Sequence, residues 1–216
     1  IFSASGQSCV PGSRLLLHES IHDKILDQVA RRAKEIRIGD PLEEKSQMGP
    51  LATLAQLNNI QSTVKDATAN GATLIHGGGK PTHLEKGWYC EPTIVDCPNQ
   101  NLGIVQREMF GPVVSVLRFR DEAEAIKLAN DTRYGLASGV FTKNIGRALR
   151  VTKALRAGIV WVNTYRMVSP LAPFGGFKDS GYGRESGLDA IYDYTRPKTV
   201  WLNTSQDPIA DPFVMQ

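Results

Sequence analysis

The feature that most constrains this chain is an alternation of short β-prone runs with amphipathic helical stretches, which continues from Arg14 to Val162. Arg14-Leu15-Leu16-Leu17-His18 reads as a strand entered from the Pro11-Gly12 turn. Behind it Ser20 offers a helix N-cap, with Asp23 three residues on, close to a capping box. Ile25, Val29, Ala33 and Ile36 then recur at helical spacing up to a stop at Gly39. A second helix is expected from near Thr53, with Leu57, Ile60, Val64 and Ala67 on one face and Asn70-Gly71 at its end. A short strand over residues 72–75 follows. Residues 113–119 form a strong strand pattern, followed by a helix over 121–129, a strand at 139–141, a helix over 145–155 and a strand at 159–162. Parallel strands need crossover connections that lay helices over the sheet. The fold class expected is therefore α/β, a mostly parallel sheet flanked by helices.

The last part of the chain reads differently. Residues 174–187 are rich in glycine, a helix is expected over about 187–194, and Lys198-Thr199-Val200-Trp201-Leu202 is β-prone. A terminal strand with few local partners can pair with the sheet edge of another subunit. The alternative is an edge strand of its own sheet. Residues 77–86 shift to glycine, proline and polar side chains, as an exposed loop does.

Composition narrows the functional classes. A chain of 216 residues can bury a core without help from disulfides or metal. Its net charge of +3 is spread over interspersed acids and bases, so there is no basic stripe for nucleic acid. No apolar run approaches bilayer length and no signal-peptide pattern opens the sequence, so no membrane partner is expected. Cys9, Cys90 and Cys97 are sparse and contain no CxxC, which suits reduced thiols in a cytoplasmic compartment. Ile1-Phe2-Ser3-Ala4 has no initiator methionine and leads straight into Gly6-Gln7-Ser8-Cys9, so sequence before Ile1 is expected to have been removed or not ordered.

Several motifs invite chemistry. His18-Glu19-Ser20-Ile21-His22 matches HExxH, but zinc needs both histidines on one helix face. With Ser20 as the cap, His18 stays on the strand, the two rings part, and no metal site is expected. Gly77-Gly78-Gly79-Lys80 does not meet the phosphate-loop pattern, and the glycines from Phe174 to Gly187 do not meet the dinucleotide fingerprint. Cys9 stands apart. Gly6 before it and Pro11-Gly12 after it place the thiol in a constrained turn, where nearby main-chain N–H groups can stabilise a thiolate and then an oxyanion. Cys90 reads as packing and Cys97, before Pro98, as a loop thiol.

Phe2 with Gly6-Gln7-Ser8-Cys9 resembles the cysteine motif of the aldehyde dehydrogenase superfamily. The resemblance continues in order along the chain. It runs through Ile38-Gly39-Asp40-Pro41, Met48-Gly49-Pro50-Leu51, Gly87-Trp88-Tyr89 with Glu91-Pro92-Thr93, and Glu108-Met109-Phe110-Gly111-Pro112-Val113. It ends with Asn130-Asp131-Thr132-Arg133-Tyr134-Gly135-Leu136, Trp161-Val162-Asn163-Thr164, and Pro173 to Gly181 with Gly183-Arg184-Glu185. Ala4 and Arg107 stand where the family often has an asparagine and an acid, and Val168 where some members carry an aromatic pocket residue.

The resemblance implies a catalytic domain over residues 1–187, with a helix and an oligomerisation arm over 188–216 whose strand joins copies into a dimer or tetramer. It implies Cys9 as nucleophile toward a small aldehyde, and NAD or NADP as hydride acceptor. Glu108 would accept hydrogen bonds from the nicotinamide ribose and Phe110 would pack near the nicotinamide, while Asn163 and Phe174 would lie at the substrate end. In this family the general base, the second oxyanion donor and the dinucleotide-binding fold precede the cysteine, and none is identifiable here. Activity of this chain alone is therefore not expected. Two other readings stay open: a non-catalytic unit of folding or assembly, and a thiol hydrolase that pairs Cys9 with one of the four histidines.

Overall fold

The computed structural model describes residues 1–208 and 211–214. After a 3-10 turn at Ser3–Gly6, the elements run β1 (Arg14–His18), α1 (His22–Lys34), α2 (Leu54–Ala69), β2 (Thr73–His76), β3 (Thr93–Asp96), α3 (Gly103–Gln106) and β4 (Val113–Phe119). Then come α4 (Glu122–Asn130), β5 (Tyr134–Gly135), β6 (Ala137–Val140), α5 (Ile145–Ala154), β7 (Ile159–Val162), β8 (Phe177–Lys178) and α6 (Ile191–Tyr194). The main sheet has the order β1-β4-β3-β2, parallel throughout except that β2 runs antiparallel to β3. Arg14 lies opposite Ser115, and Thr93 opposite Val113.

β4 shows why the helices fall where they do. Val113 to Leu117 are buried without a break, the pattern of a strand covered on both faces. Val113 and Leu117 join Val95 against Leu57, Ile60 and Val64 of α2. Val114 and Val116 join Ile94 and Leu17 against Leu26, Ala30 and Ala33 of α1. Each such side chain taken from water stabilises the fold by about 1.5–3 kcal/mol, before the entropy of ordering it is set against that gain.

Helix α2 follows the sequence closely: Thr53 caps it, accepting from the Gln56 N–H at 3.1 Å, and its expected apolar face is the buried one. Helix α1 departs from expectation. Its N-cap is Ile21, which makes no side-chain cap, and the Ser20 hydroxyl bonds the His18 ring at 2.8 Å. The buried face is His22, Leu26, Ala30 and Ala33: Ala33 is buried as expected, while Ile25 and Val29 flank the face one position before Leu26 and Ala30. His22 supplies the reason, because its buried ring finds polar partners and so occupies an inward position that apolar counting passes over. β3 and α3 were not anticipated at all. Each is four residues long, too short to show a period.

Beyond β4, α4 is capped by Asp121 and α5 by Asn144, each accepting from the N–H three residues on. The two helices pack on one another, with α4 against β1 and α5 against β6 and β7. β6 and β7 form a parallel pair with Ala137 opposite Ile159, and the expected strand at 139–141 thus begins two residues earlier. β5 and β8 form a short antiparallel pair.

The tail is less ordered than its sequence suggests. The helix expected over 187–194 contracts to Ile191–Tyr194. The β-prone run at 198–202 pairs with nothing among the described residues, and Trp201 is 93% exposed. A strand exists only where an edge accepts its main-chain bonds, and no described edge pairs with this run. Residues 209, 210, 215 and 216 of the expected arm lie outside the described residues. No described helix is long and apolar enough to cross a membrane.

Candidate active site

The loop that carries Cys9 is held by contacts from two distant segments. Ala4, Ser5 and Gly6 all adopt left-handed backbone, with φ of 53°, 55° and 67°. Such a run is costly for side-chain-bearing residues and persists only where the surroundings enforce it. Here they do: the buried Ser5 hydroxyl donates to the Gly49 carbonyl at 2.8 Å, and the Gln7 side chain accepts from the Ala52 N–H at 2.9 Å. Gly6 meets a second segment, for a Cβ at that position would lie 2.0 Å from the Gly111 carbonyl oxygen. Segments that look separate in sequence, around Gly6, Gly49 and Gly111, are thus one packed unit. Val10 is buried just beyond, and between these anchors Cys9 is exposed.

The other two thiols are unlike it. Cys90 and Cys97 are buried, and burial pushes both thiols up to about 11. Cys97 is therefore core and not a loop thiol, its Sγ directed at the Val95 carbonyl at 3.6 Å. Cys9 is the only exposed cysteine among the described residues.

Cys9 lines a groove of about 1380 Å³ together with Glu108, Phe110 and Tyr165. Glu108 is exposed there and forms no hydrogen bond or ion pair among the described residues. Phe110 has φ of 46°, and its ring is left partly exposed while its neighbour Met109 is buried. Gln56 of α2 holds this turn, donating to the carbonyls of both Met109 and Phe110. Tyr165 stacks on Trp161 with ring centroids 4.9 Å apart. Its ring fits because Gly139 has no Cβ, which would stand 2.7 Å from it. Gln56 and Tyr165 were not singled out from the sequence. Tyr165 follows directly on the Trp161 to Thr164 motif, a signal that was available.

Asn163 and Phe174 are placed elsewhere, and neither lines this groove. The Asn163 side chain accepts from the Thr142 N–H and donates to the Thr142 carbonyl, both at 2.9 Å, so it extends the β6–β7 ladder beyond its end. Half-buried Phe174 exchanges main-chain hydrogen bonds with Glu185.

A third cluster explains two further motifs. Arg14 donates to the carbonyls of Leu128 and Ala129, and Lys178 to those of Asn130 and Thr132, all between 2.7 and 3.0 Å. Leu128, Ala129 and Asn130 form the last turn of α4, where a cation meets the negative end of the helix dipole, and Thr132 lies just beyond it. Burial pulls the pKa of both cations down; at Lys178 the nearby Arg156 and Arg14 add to it. Asn130 in turn receives the Arg156 N–H and donates to the Ala154 carbonyl. These residues fasten α4 to α5 and β8.

The HExxH histidines sit on two elements. His18 ends β1, and His22 opens α1 with both ring nitrogens engaged, Nδ1 with Asp23 at 2.8 Å and Nε2 with Asp96 at 3.1 Å. The hydrogen bond from His22, and then the Arg118 guanidinium, hold the Asp23 carboxyl below the usual range. Among the described residues no three histidine, cysteine or acidic side chains are grouped to hold a metal, and no histidine bonds Cys9.

Comparison with known proteins bears on what such a groove serves. Residues 1–200 match the aldehyde dehydrogenase family. The chain is 54% identical over its whole length to a (Z)-2-((N-methylformamido)methylene)-5-hydroxybutyrolactone dehydrogenase of Acinetobacter baylyi, of which it covers 44%. It is 44% identical over 93% of its length to a betaine aldehyde dehydrogenase of Brucella anthropi, covering 42% of that protein. A double mutant of betaine aldehyde dehydrogenase from Staphylococcus aureus, solved in complex with NAD+, superposes on 99% of this chain. Its TM-score is 0.91 at 40% identity, and the chain covers 42% of it. The chain thus spans less than half the length of the relatives it matches.

Proposed function

The chain belongs to the aldehyde dehydrogenase family, and from that premise we propose that it carries the nucleophile-bearing part of an enzyme that oxidises an aldehyde to a carboxylic acid with NAD or NADP. The single observation that supports this most is the exposed Cys9 on a strained, doubly anchored loop at a groove that also holds Glu108 and Phe110.

The Cys9 thiolate adds to the aldehyde carbon and forms a tetrahedral thiohemiacetal, whose oxyanion accepts a hydrogen bond from the Cys9 N–H. Loss of hydride from that carbon leaves a thioester on Cys9, and water releases the acid. A bound nicotinamide dinucleotide supplies the hydride acceptor for this oxidation. Glu108 and Phe110 fit one end of such a cofactor: a carboxylate without a partner among the described residues can accept hydrogen bonds from ribose hydroxyls, and an exposed aromatic face can pack beside the ring. Asn163 and Phe174 belong to the substrate end only if closure of a complete site brings them toward Cys9. Their present contacts make them supports of the β7 end and of the Phe174–Glu185 bridge.

The chain alone should give no sustained turnover. Loss of one oxyanion donor costs roughly 100- to 1,000-fold in rate, and loss of the cofactor platform costs more because hydride transfer needs close approach. The test is a chimera in which this chain replaces the matching part of the Acinetobacter relative. Aldehyde-dependent NADH or NADPH formation is expected, and Cys9→Ala should abolish it. Turnover that survives Cys9→Ala would remove the reading. The relative's name makes a 5-hydroxybutyrolactone, the ring-closed form of an aldehyde, a first compound to try, beside betaine aldehyde.

A second reading concerns residues 188–216, which we propose act as an arm between copies in a dimer or tetramer. Leu188, Tyr192, Val200, Trp201 and Leu202 are each more than 70% exposed, more apolar surface than a free tail usually shows. The mass of the purified particle, with and without this segment, tests it. Three free cysteines suit a cytoplasmic setting.

A further inference from the structure

The segment that leaves β7, from Asn163 to Met167, has no regular structure, yet it is pinned at both ends to the β6–β7 pair. At its start the Asn163 N–H donates to the Val140 carbonyl, and the Asn163 side chain clasps the main chain of Thr142. At its far end the Met167 carbonyl accepts from the Trp161 indole N–H at 2.8 Å. The chain between these pins turns back on itself, and both Asn163 and Arg166 take left-handed backbone, with φ of 54° and 62°. Two such residues so close together are costly and persist only where contacts enforce them.

The two middle residues of this segment reach the loop that carries Cys9, one at each end. Tyr165, stacked on Trp161, lies against Gly12, where a Cβ would stand 3.4 Å from its hydroxyl and 3.5 Å from its ring. Arg166 Nη1 donates to the Ser3 hydroxyl at 2.8 Å, and Ser3 is its only hydrogen-bond partner among the described residues. Cys9 lies between Ser3 and Gly12 in the chain. The Ser3 end is also where the loop most needs support. Ala4 is left-handed, a backbone that asparagine relieves by bonding locally through its short side chain and that alanine cannot relieve. Ser5 and Gln7 are held by Gly49 and Ala52, whereas Ser3 and Gly12 are reached from the segment after β7.

We propose that Tyr165 and Arg166 form a clamp on the Cys9 loop, with Arg166 as a positioning residue for the nucleophile. The guanidinium fixes the Ser3 end, the Tyr165 ring stops the Gly12 end, and the thiol is carried between two fixed points. Small displacements of a reacting group slow its attack severely, even when the change lies away from the chemistry. Loosening the clamp therefore slows the chemical step and leaves binding of the aldehyde largely as it was. This role rests on Cys9 being the nucleophile, whereas the clamp itself can be observed without turnover.

Amide hydrogen exchange of this chain reads the clamp directly. The reporter is the main-chain N–H of Gln7, whose 3.0 Å bond to the Ala4 carbonyl closes the strained turn. Arg166→Ala and Ser3→Ala should each speed its exchange at least about tenfold, as loss of one charge-assisted hydrogen bond does, with the Ile60 N–H and the unfolding midpoint nearly unchanged. The double variant should go no further than Arg166→Ala alone, and Arg166→Lys, which keeps a cation able to donate, should restore part of the protection. In the chimera with the Acinetobacter relative, Arg166→Ala should lower kcat at least about tenfold while KM shifts less than about twofold. An unaltered Gln7 N–H would overturn the clamp. So would acceleration of every amide together with a lower midpoint, which would make Arg166 a support of the whole fold. A raised KM at unchanged kcat would overturn it as well, by making Arg166 a substrate-binding group. A chimera without turnover, beside a Gln7 N–H that responds, would count against the aldehyde oxidation and leave the clamp in place.

Discussion

The sheet β1-β4-β3-β2 and the pair β6-β7 are made by the same device, a helix carried across parallel strands, yet only the first has closed a core around itself. In the first, α1 and α2 cover opposite faces, and the side chains of β3 and β4 are divided between them. In the second, Ala148, Leu155 and Trp161 are the only buried apolar residues after Leu117 among the described residues. The difference does not lie in the helix ends, since α4 and α5 are capped as well as any helix in the chain. Local signals form these helices, yet α4 buries no residue fully and α5 only Ala148.

The comparison is broken most directly at Ile60, which is fully buried at the centre of the first region. Ile60→Ala should lower unfolding free energy by about 4 kcal/mol, the cost of lost transfer energy plus a cavity. Leu188→Ala in the exposed tail should change it by less than about 0.5 kcal/mol in the monomer. Denaturant midpoints of the two variants, side by side, check this. Equal effects would mean that the tail is packed in solution and that the contrast is wrong.

Gly6 gives the next largest effect and sharpens the contrast within the glycines. Its φ of 67° and its approach to Gly111 leave no room for a side chain, because the obstructing atoms are main chain and cannot swing away. Gly6→Ala should cost about 3 kcal/mol and also unseat Cys9. At Gly183 a Cβ would meet nothing within 4 Å, so Gly183→Ala should be nearly silent. A stable Gly6→Ala chain with unchanged thiol reactivity would show that the loop tolerates another conformation.

These two residues also mark how much was legible in the sequence. The order of strands and helices was legible where each repeats a period: α2, β4, α4, α5 and β7 fall within a residue or two of expectation. Four-residue elements such as β3 were not, because a period cannot show in so few positions. Of the expected site residues, Cys9, Glu108 and Phe110 come together at one groove, whereas Asn163 turns to the backbone of Thr142. Residue type marks Asn163 as polar and strand-terminal, but only the fold decides whether its amide serves a ligand or a main chain. The role of Lys178 was hidden for the same reason, since its partners are carbonyls more than forty residues away.

Cysteine chemistry provides a graded probe of the same division. Cys90 and Cys97 belong to the closed region, and with thiols near 11 only about one molecule in a thousand carries a thiolate at pH 8. Cys9 at the groove should react with a thiol reagent at least about 100-fold faster than either, and all three should react together in denaturant. Titration of labelled thiols against time, with Cys9→Ala as reference, reads this directly. Comparable native rates would mean that the core opens far more often than its packing implies.

The smallest effect lies where α4 meets α5. Glu122 receives both Arg150 nitrogens at 2.8 Å and Arg147 at 3.3 Å, and these hydrogen bonds, Arg150 first, hold its carboxyl below the usual range. Because the folded chain favours the charged form, the stability it contributes is present above the unfolded carboxyl's range and is lost as pH falls through the lower, folded one. Glu122→Gln should therefore lower the melting temperature by no more than about 2 °C at pH 7, as surface ion pairs do. The two melting curves should draw together as pH falls below the ordinary carboxylate range and converge only below the lower, folded pKa, where the wild-type carboxyl is protonated in both states. A difference that persists at low pH would assign the role of Glu122 to packing. A much larger loss at pH 7 would show that the helix pair leans on this one contact for want of a core beneath it.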